Sequence, residues 1–109
     1  MKLPQGEQAI VPLEKLLGYC LNPNHDSGKH KARVFASALG ITADNAEMLK
    51  TLICQAAVEG SVVQQANTEF GQQFKVDWTV PNTDGVTLRT IWKLPSESEA
   101  PQLISAYIR

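Results

Sequence analysis

Hydrophobic positions along this chain change their period once, near residue 60. Before that point they recur every three or four residues, and after it every second residue. Pro12 fits the first turn of a helix, where its missing N–H has no intrahelical partner to lose. Leu13, Leu16 and Leu17 follow at helical spacing as one buried stripe, and Leu21-Asn22-Pro23 stops the helix. A second helix is predicted from Lys29 to Leu39, with Ala32, Phe35, Ala36 and Leu39 on one face and Gly40 as its C-terminal stop. Thr42 or Asp44 caps a third helix, whose buried side carries Ala46, Leu49, Leu52, Ile53, Ala56 and Ala57 up to Gly60.

Beyond Gly60 the alternation predicts four strands. Residues 61–68 form a weak one. In 72–80, Phe74, Val76, Trp78 and Val80 face one way while Lys75, Asp77 and Thr79 face the other. Pro81-Asn82-Thr83-Asp84-Gly85 is a hairpin loop, and Asp-Gly is its turn signal. The strand at 86–94 answers with Val86, Leu88, Thr90, Trp92 and Leu94 on one face and Thr87, Arg89, Ile91 and Lys93 on the other. After a charged loop at 95–101, residues 102–108 form the last strand. Helices first and strands second predict an α+β domain, with three helices on one face of a four-stranded antiparallel meander. Residues 1–8, polar with Pro4 and Gly6, read as a loose arm. Residues 9–109 read as a single domain, since 109 residues leave too little for two cores.

Charge is uninformative globally and informative locally. The net charge of −1 gives no overall field toward nucleic acid or an anionic membrane. Yet Lys29, His30, Lys31 and Arg33 crowd the start of the second helix, behind Asp26-Ser27-Gly28. That end of a helix is already positive, so each cation there costs roughly a few tenths of a kcal/mol. A chain that accepts this cost has a natural anion site. His30, flanked by Lys29 and Lys31, is favoured as the neutral imidazole and is a candidate general base. Lys29, Lys31 and Arg33 are candidate phosphate ligands, Lys as a point charge and Arg as a planar fork. Thr90 interrupts an apolar strand face, so its hydroxyl must find a partner or lie at an opening. Tyr107 sits beside Arg89 or Thr90, depending on register.

Other chemistry is thinly represented. His25 reads as a turn residue. Cys20 and Cys54 have no metal-type spacing and read as small buried apolar groups. Neither a phosphate loop, nor a dinucleotide fingerprint, nor a Cys/His metal cluster is present, so no cofactor is expected. The N-terminus lacks the apolar stretch of a signal peptide, and no apolar run approaches the roughly 20 residues of a membrane span. The expected location is cytoplasmic. His, Lys, Arg, Thr and Tyr together suit metal-independent cleavage of RNA. A base takes the 2′-hydroxyl proton, cations neutralise the phosphorane, and an acid protonates the leaving oxygen. The alternative is a non-catalytic module binding an anion or a protein, as a monomer or as a homodimer through the edge strand 61–68.

Three runs resemble the signature of an uncharacterised bacterial family. They are Leu21-Asn22-Pro23-x-His25-x-x-Gly28-x-His30-Lys31-Ala32-Arg33-Val34-Phe35, then Phe70-Gly71-Gln72-Gln73-Phe74-x-Val76-Asp77, then Val86-x-x-Arg89-Thr90-x-Trp92 with a late tyrosine. Related domains look like C-terminal tips of polymorphic toxins, and the element order is similar to the barnase–RelE-like ribonuclease fold. The resemblance implies a catalytic set of His30, Arg89, Thr90 and Tyr107, with Lys29, Lys31 and Arg33 holding the substrate. RNA or another phosphate-bearing ligand is the implied partner.

Overall fold

Four strands form a single sheet in a computed structural model that describes residues 1–26, 28–69, 71–96 and 99–109. They are β1 (Ser61–Thr68), β2 (Gly71–Thr79), β3 (Thr87–Leu94) and β4 (Gln102–Ile108), in the order β1-β2-β3-β4 with every neighbour antiparallel. The chain is therefore α+β with the expected meander, and its helices pack against the sheet. They are α1 (Leu13–Lys15), which runs on as a π turn (Leu16–Cys20), α2 (Lys29–Leu39) and α3 (Ala46–Glu59). Of the sequence features named above, Ser27, Phe70 and the loop residues 97 and 98 lie outside the described residues.

The caps follow from local chemistry. Gly40 adopts φ 67°, and the Gly40 and Ile41 amides donate to the carbonyls of Ala36 and Phe35. This pair of bonds closes the end of α2 and requires a left-handed residue, hence glycine. Thr42 rather than Asp44 caps the following turn. Its hydroxyl accepts from the Asp44 amide, and its own amide donates to Asn45 Oδ1 at 2.7 Å. A 3₁₀ turn (Ala43–Asn45) then leads into α3.

Alternation decides which side of the sheet is dry. Phe74, Val76, Trp78, Leu88, Trp92, Leu103 and Ala106 are buried, together with Leu16, Phe35, Leu49 and Ile53 from the helices. The opposite face carries a cross-strand row, Asp77–Arg89–Tyr107, each residue paired with the next. β4 contains a bulge: Ile91 pairs with Ser105 but Trp92 with Leu103, which leaves Ile104 unpaired.

Two expectations are corrected. Leu13, Leu16 and Leu17 do not share a buried stripe: Leu16 is fully buried, while Leu17 is 41% exposed. The Leu21 amide donates to the Leu16 carbonyl, five residues back, and this wider π turn moves burial from Leu17 to Cys20 and Leu21. The arm at 1–8 is not loose either. Leu3 is 4% exposed in the core, Gly6 lies against the Ala57 carbonyl, and Met1 O accepts from the Val62 amide at 2.8 Å. A polar composition concealed one anchoring leucine and one glycine that permits close approach.

Candidate functional site

The basic residues of α2 are divided by helical geometry. Successive residues turn by about 100°, which puts Lys31 about 160° around the helix from both Lys29 and Arg33. Lys29 and Arg33 line one concavity, beside the Thr42–Asp44 segment. Lys31 lies on the other side, because α2 packs on β4, one of the two edge strands of the sheet. His30 is exposed, and among the described residues it has no hydrogen-bond or ion-pair partner.

Lys31 is the centre of the cluster that does form. Its Nζ donates to the Tyr19 hydroxyl and lies 3.4 Å from Ser105 Oγ. It also stands 4.7 Å from the centre of the Tyr19 ring and 5.2 Å from that of Tyr107, within cation–π range of both. Register puts Tyr107 opposite Arg89 rather than Thr90. Arg89 donates from Nε and Nη2 to the two carboxylate oxygens of Asp77, at 2.7 and 2.8 Å. Arg109 adds a third bond to Asp77 at 3.1 Å. The Asp77 contact holds the Arg89 guanidinium charged well beyond its already high value, and Tyr107 is its cross-strand neighbour on β4. Lys31 thus stands over Tyr107 of β4, and Arg89 is paired with Tyr107 from β3.

A cleft of about 490 Å³ opens beside this cluster, lined by Lys15, Tyr19, His25, Ile104 and Ser105 among others. The bulge turns the Ile104 carbonyl to Lys15, whose Nζ donates to it at 3.3 Å. Both acceptors of Lys31, Tyr19 and Ser105, line the cleft, so a ligand there meets the ammonium through them. Cys20 lies behind the cluster, and burial pushes its thiol up despite the nearby charges of Lys31 and Lys15. It is a packing group.

The Leu-Asn-Pro-x-His-x-x-Gly run now has a local explanation. The Gly28 amide donates to His25 Nδ1 at 3.0 Å, and the His25 ring meets Tyr19 edge-on with centres 4.9 Å apart. Gly28 lies directly against the Tyr19 carbonyl, where a Cβ has no room. These contacts pin the start of α2 to the π turn, and the first turn of the helix, three residues on from Gly28, then delivers Lys31 to the Tyr19 hydroxyl. Because Nδ1 accepts a hydrogen bond, the neutral imidazole carries its proton on Nε2. Tyr19, His25 and Ser105 are the site residues that sequence reasoning did not select. The glycine was their available signal, since a histidine three residues before a helix-starting glycine marks a turn that must be held closed.

Thr90 leaves the site. It is fully buried on the helix side, where its hydroxyl accepts from Trp92 Nε1 at 2.7 Å and donates to the Val76 carbonyl at 3.3 Å. Of the two alternatives for that hydroxyl, it has taken the partner. Thr90→Val strands the indole N–H, so unfolding measurements should show a loss of about 1–3 kcal/mol. An unchanged Tm would contradict this role.

The Asp77 clamp predicts acid sensitivity. Hydrogen bonding from Arg89 holds the Asp77 carboxyl below its ordinary value of 3.8 in the folded chain only. The unfolded chain therefore takes up the proton first as pH falls. The clamp's contribution is complete above that ordinary value and is lost as pH drops through the lowered folded one. Urea unfolding at a series of pH values should show a shallower decline below roughly pH 4 in Asp77→Asn than in wild type. Parallel declines would assign the acid loss to other carboxylates.

Among the described residues, no three His, Cys, Asp or Glu side chains gather as a metal ligand set, and no helix is long and apolar enough to cross a membrane. Residues 2–109 match a family described as a domain of unknown function (DUF6883), and the chain belongs to that family. No curated protein and no solved structure matches the chain.

Proposed function

We propose that this DUF6883 domain is a metal-independent endoribonuclease, of the kind carried at the tips of polymorphic toxins, with its reaction centre at the β4 edge. The observation that carries the reading is the approach of Lys31, from α2, to the Tyr107 ring of β4, whose cross-strand neighbour on β3 is Arg89. Two fixed cations and a phenol suit a reaction whose charge grows on a phosphorane, and a cleft lined by Tyr19 and Ser105, the partners of Lys31, opens beside the lysine. The arrangement of helices followed by a four-stranded meander is similar to the barnase–RelE-like fold, an analogy that adds modest support.

In this mechanism Lys31 and the outer edge of Arg89 neutralise the developing dianion. Asp77 occupies Nε and one Nη of Arg89 and so leaves the remaining N–H groups to face a phosphate. Tyr107 gives its proton to the departing 5′-oxygen, and its contact with Arg89 keeps the phenol oriented. His30, exposed one residue before Lys31, takes the 2′-hydroxyl proton. Thr90 has no part in the chemistry. Tyr107→Phe removes the proton donor while keeping the ring under Lys31. It should slow cleavage of an oligoribonucleotide by about 10²-fold or more, with little change in Tm. Cleavage at the wild-type rate would exclude Tyr107 as the acid.

A further inference from the structure

On the far side of α2 from Lys31 lies a concavity of about 350 Å³, bounded by the Thr42–Asp44 segment. That volume is at the small end of ligand pockets. Its floor is apolar, formed in part by Leu21, Ala32 and Ala36, and its rim carries Lys29, Arg33 and Asp44. Lys29 and Arg33 are four residues apart, so their charged heads reach the same rim. Among the described residues neither has an ion pair, although Asp44 borders the same space. A pocket with an apolar floor, two uncommitted cations on one side and a carboxylate on the other matches an occupant with a flat apolar body, an anionic group and a hydrogen-bond donor.

We infer that this concavity binds one nucleotide of the RNA strand, a short way along the strand from the one that is cleaved. The inference rests on the ribonuclease reading and supplies that site's substrate contact. The base lies on Leu21, Ala32 and Ala36, Lys29 and Arg33 take its phosphate, and Asp44 accepts from an exocyclic amino group. A helix with its side chains is about 10–12 Å across, so a strand crossing the start of α2 spans both this pocket and Lys31 without any movement of the domain. Exposed His30 stands on the crest between them. Asp44 gives the pocket a preference for bases with an amino group over uracil.

The test uses the whole domain and a short oligoribonucleotide, 2′-O-methylated throughout so that it cannot be cleaved through its 2′-hydroxyls. Nuclear magnetic resonance titration should shift the amides of Ala32, Ala36 and Thr42, and a cytosine-bearing oligomer should bind more tightly than its uracil counterpart. The double variant Lys29→Ala, Arg33→Ala should weaken binding about tenfold or more, equivalent to about 1.4 kcal/mol. With cleavable RNA the same variant should raise KM by more than it lowers kcat. Shifts confined to the Tyr19 and Tyr107 side, or a double variant that binds like wild type, would overturn the inference. If RNA is cleaved and KM is unmoved, the subsite falls and the ribonuclease reading stands. If nothing is cleaved yet the oligomer occupies the pocket, the ribonuclease reading falls and the nucleotide site stands. Displacement of the oligomer by an acidic peptide with equal affinity would count against a nucleotide site and favour a protein partner.

Discussion

Lys31→Ala should lower the rate of RNA cleavage by about 10²–10³-fold while leaving the domain folded. The magnitude is that of removing one preorganised charge aimed at a transition-state oxyanion. Lys31 is half-buried, hydrogen-bonded to Tyr19 and within cation–π range of Tyr107, so it is held in place before any substrate arrives. Its loss also removes a side chain that packs between two phenol rings, which costs about 1 kcal/mol of stability, or a few degrees of Tm. The two effects separate cleanly in a stopped-time cleavage assay run beside a thermal melt. Lys31→Arg should restore part of the rate, because the charge returns on a longer, planar head. A rate loss that merely tracks the loss of folded protein would make Lys31 a structural lysine.

The second large effect is expected at Gly28. An added Cβ meets the backbone carbonyl of Tyr19, and backbone cannot rotate away as a flexible side chain would. The backbone angles of Gly28, φ −96° and ψ −12°, are open to any residue, so the cost of Gly28→Ala comes entirely from the collision. Separating α2 from the π turn should cost about 2–3 kcal/mol, which in a domain of this size lowers Tm by about 10–20 °C. It should also break the Gly28–His25 bond and withdraw Lys31 from Tyr19. Activity should therefore fall even at temperatures where the variant is fully folded. His25→Ala, which removes the acceptor without a collision, should destabilise less, by about 1 kcal/mol. Equal melting temperatures for Gly28→Ala and wild type would show that the α2 start tolerates displacement, and would remove the argument that this segment positions Lys31.

What the sequence made legible depended on how local the determinants were. The strands from residue 61 onward could be read because alternation and the Pro81–Gly85 loop, closed by the Val80 amide on the Val86 carbonyl, set the register between β2 and β3. The same register puts Asp77 opposite Arg89. Helix α2 could be read at both ends, since Gly40 stops it and its basic start stands out. The pairing of Tyr107 with Arg89 was half legible: the strand was evident, but the choice between Arg89 and Thr90 required the β4 register, bulge included. The partnership of Lys31 with Tyr19 was not legible. It depends on a π turn, which the three-and-four spacing of Leu13, Leu16 and Leu17 argues against, and on the close approach of Gly28 to a carbonyl nine residues earlier. The basic cluster misled in a particular way. Three cations and a histidine close together in sequence look like one site, yet a helix turns them to different sides, and among the described residues only Lys31 of this group reaches Tyr107.

The central claim is that this cluster cleaves RNA through the 2′-hydroxyl, and the termini of the products test it most directly. An oligoribonucleotide incubated with the domain in excess chelator should yield fragments ending in a 2′,3′-cyclic phosphate and beginning with a 5′-hydroxyl. The same oligomer with a single 2′-deoxy substitution at the cleaved position should stay intact there. An RNA that survives high protein concentrations, or fragments bearing 5′-phosphates and unaffected by the 2′-deoxy substitution, would contradict the account.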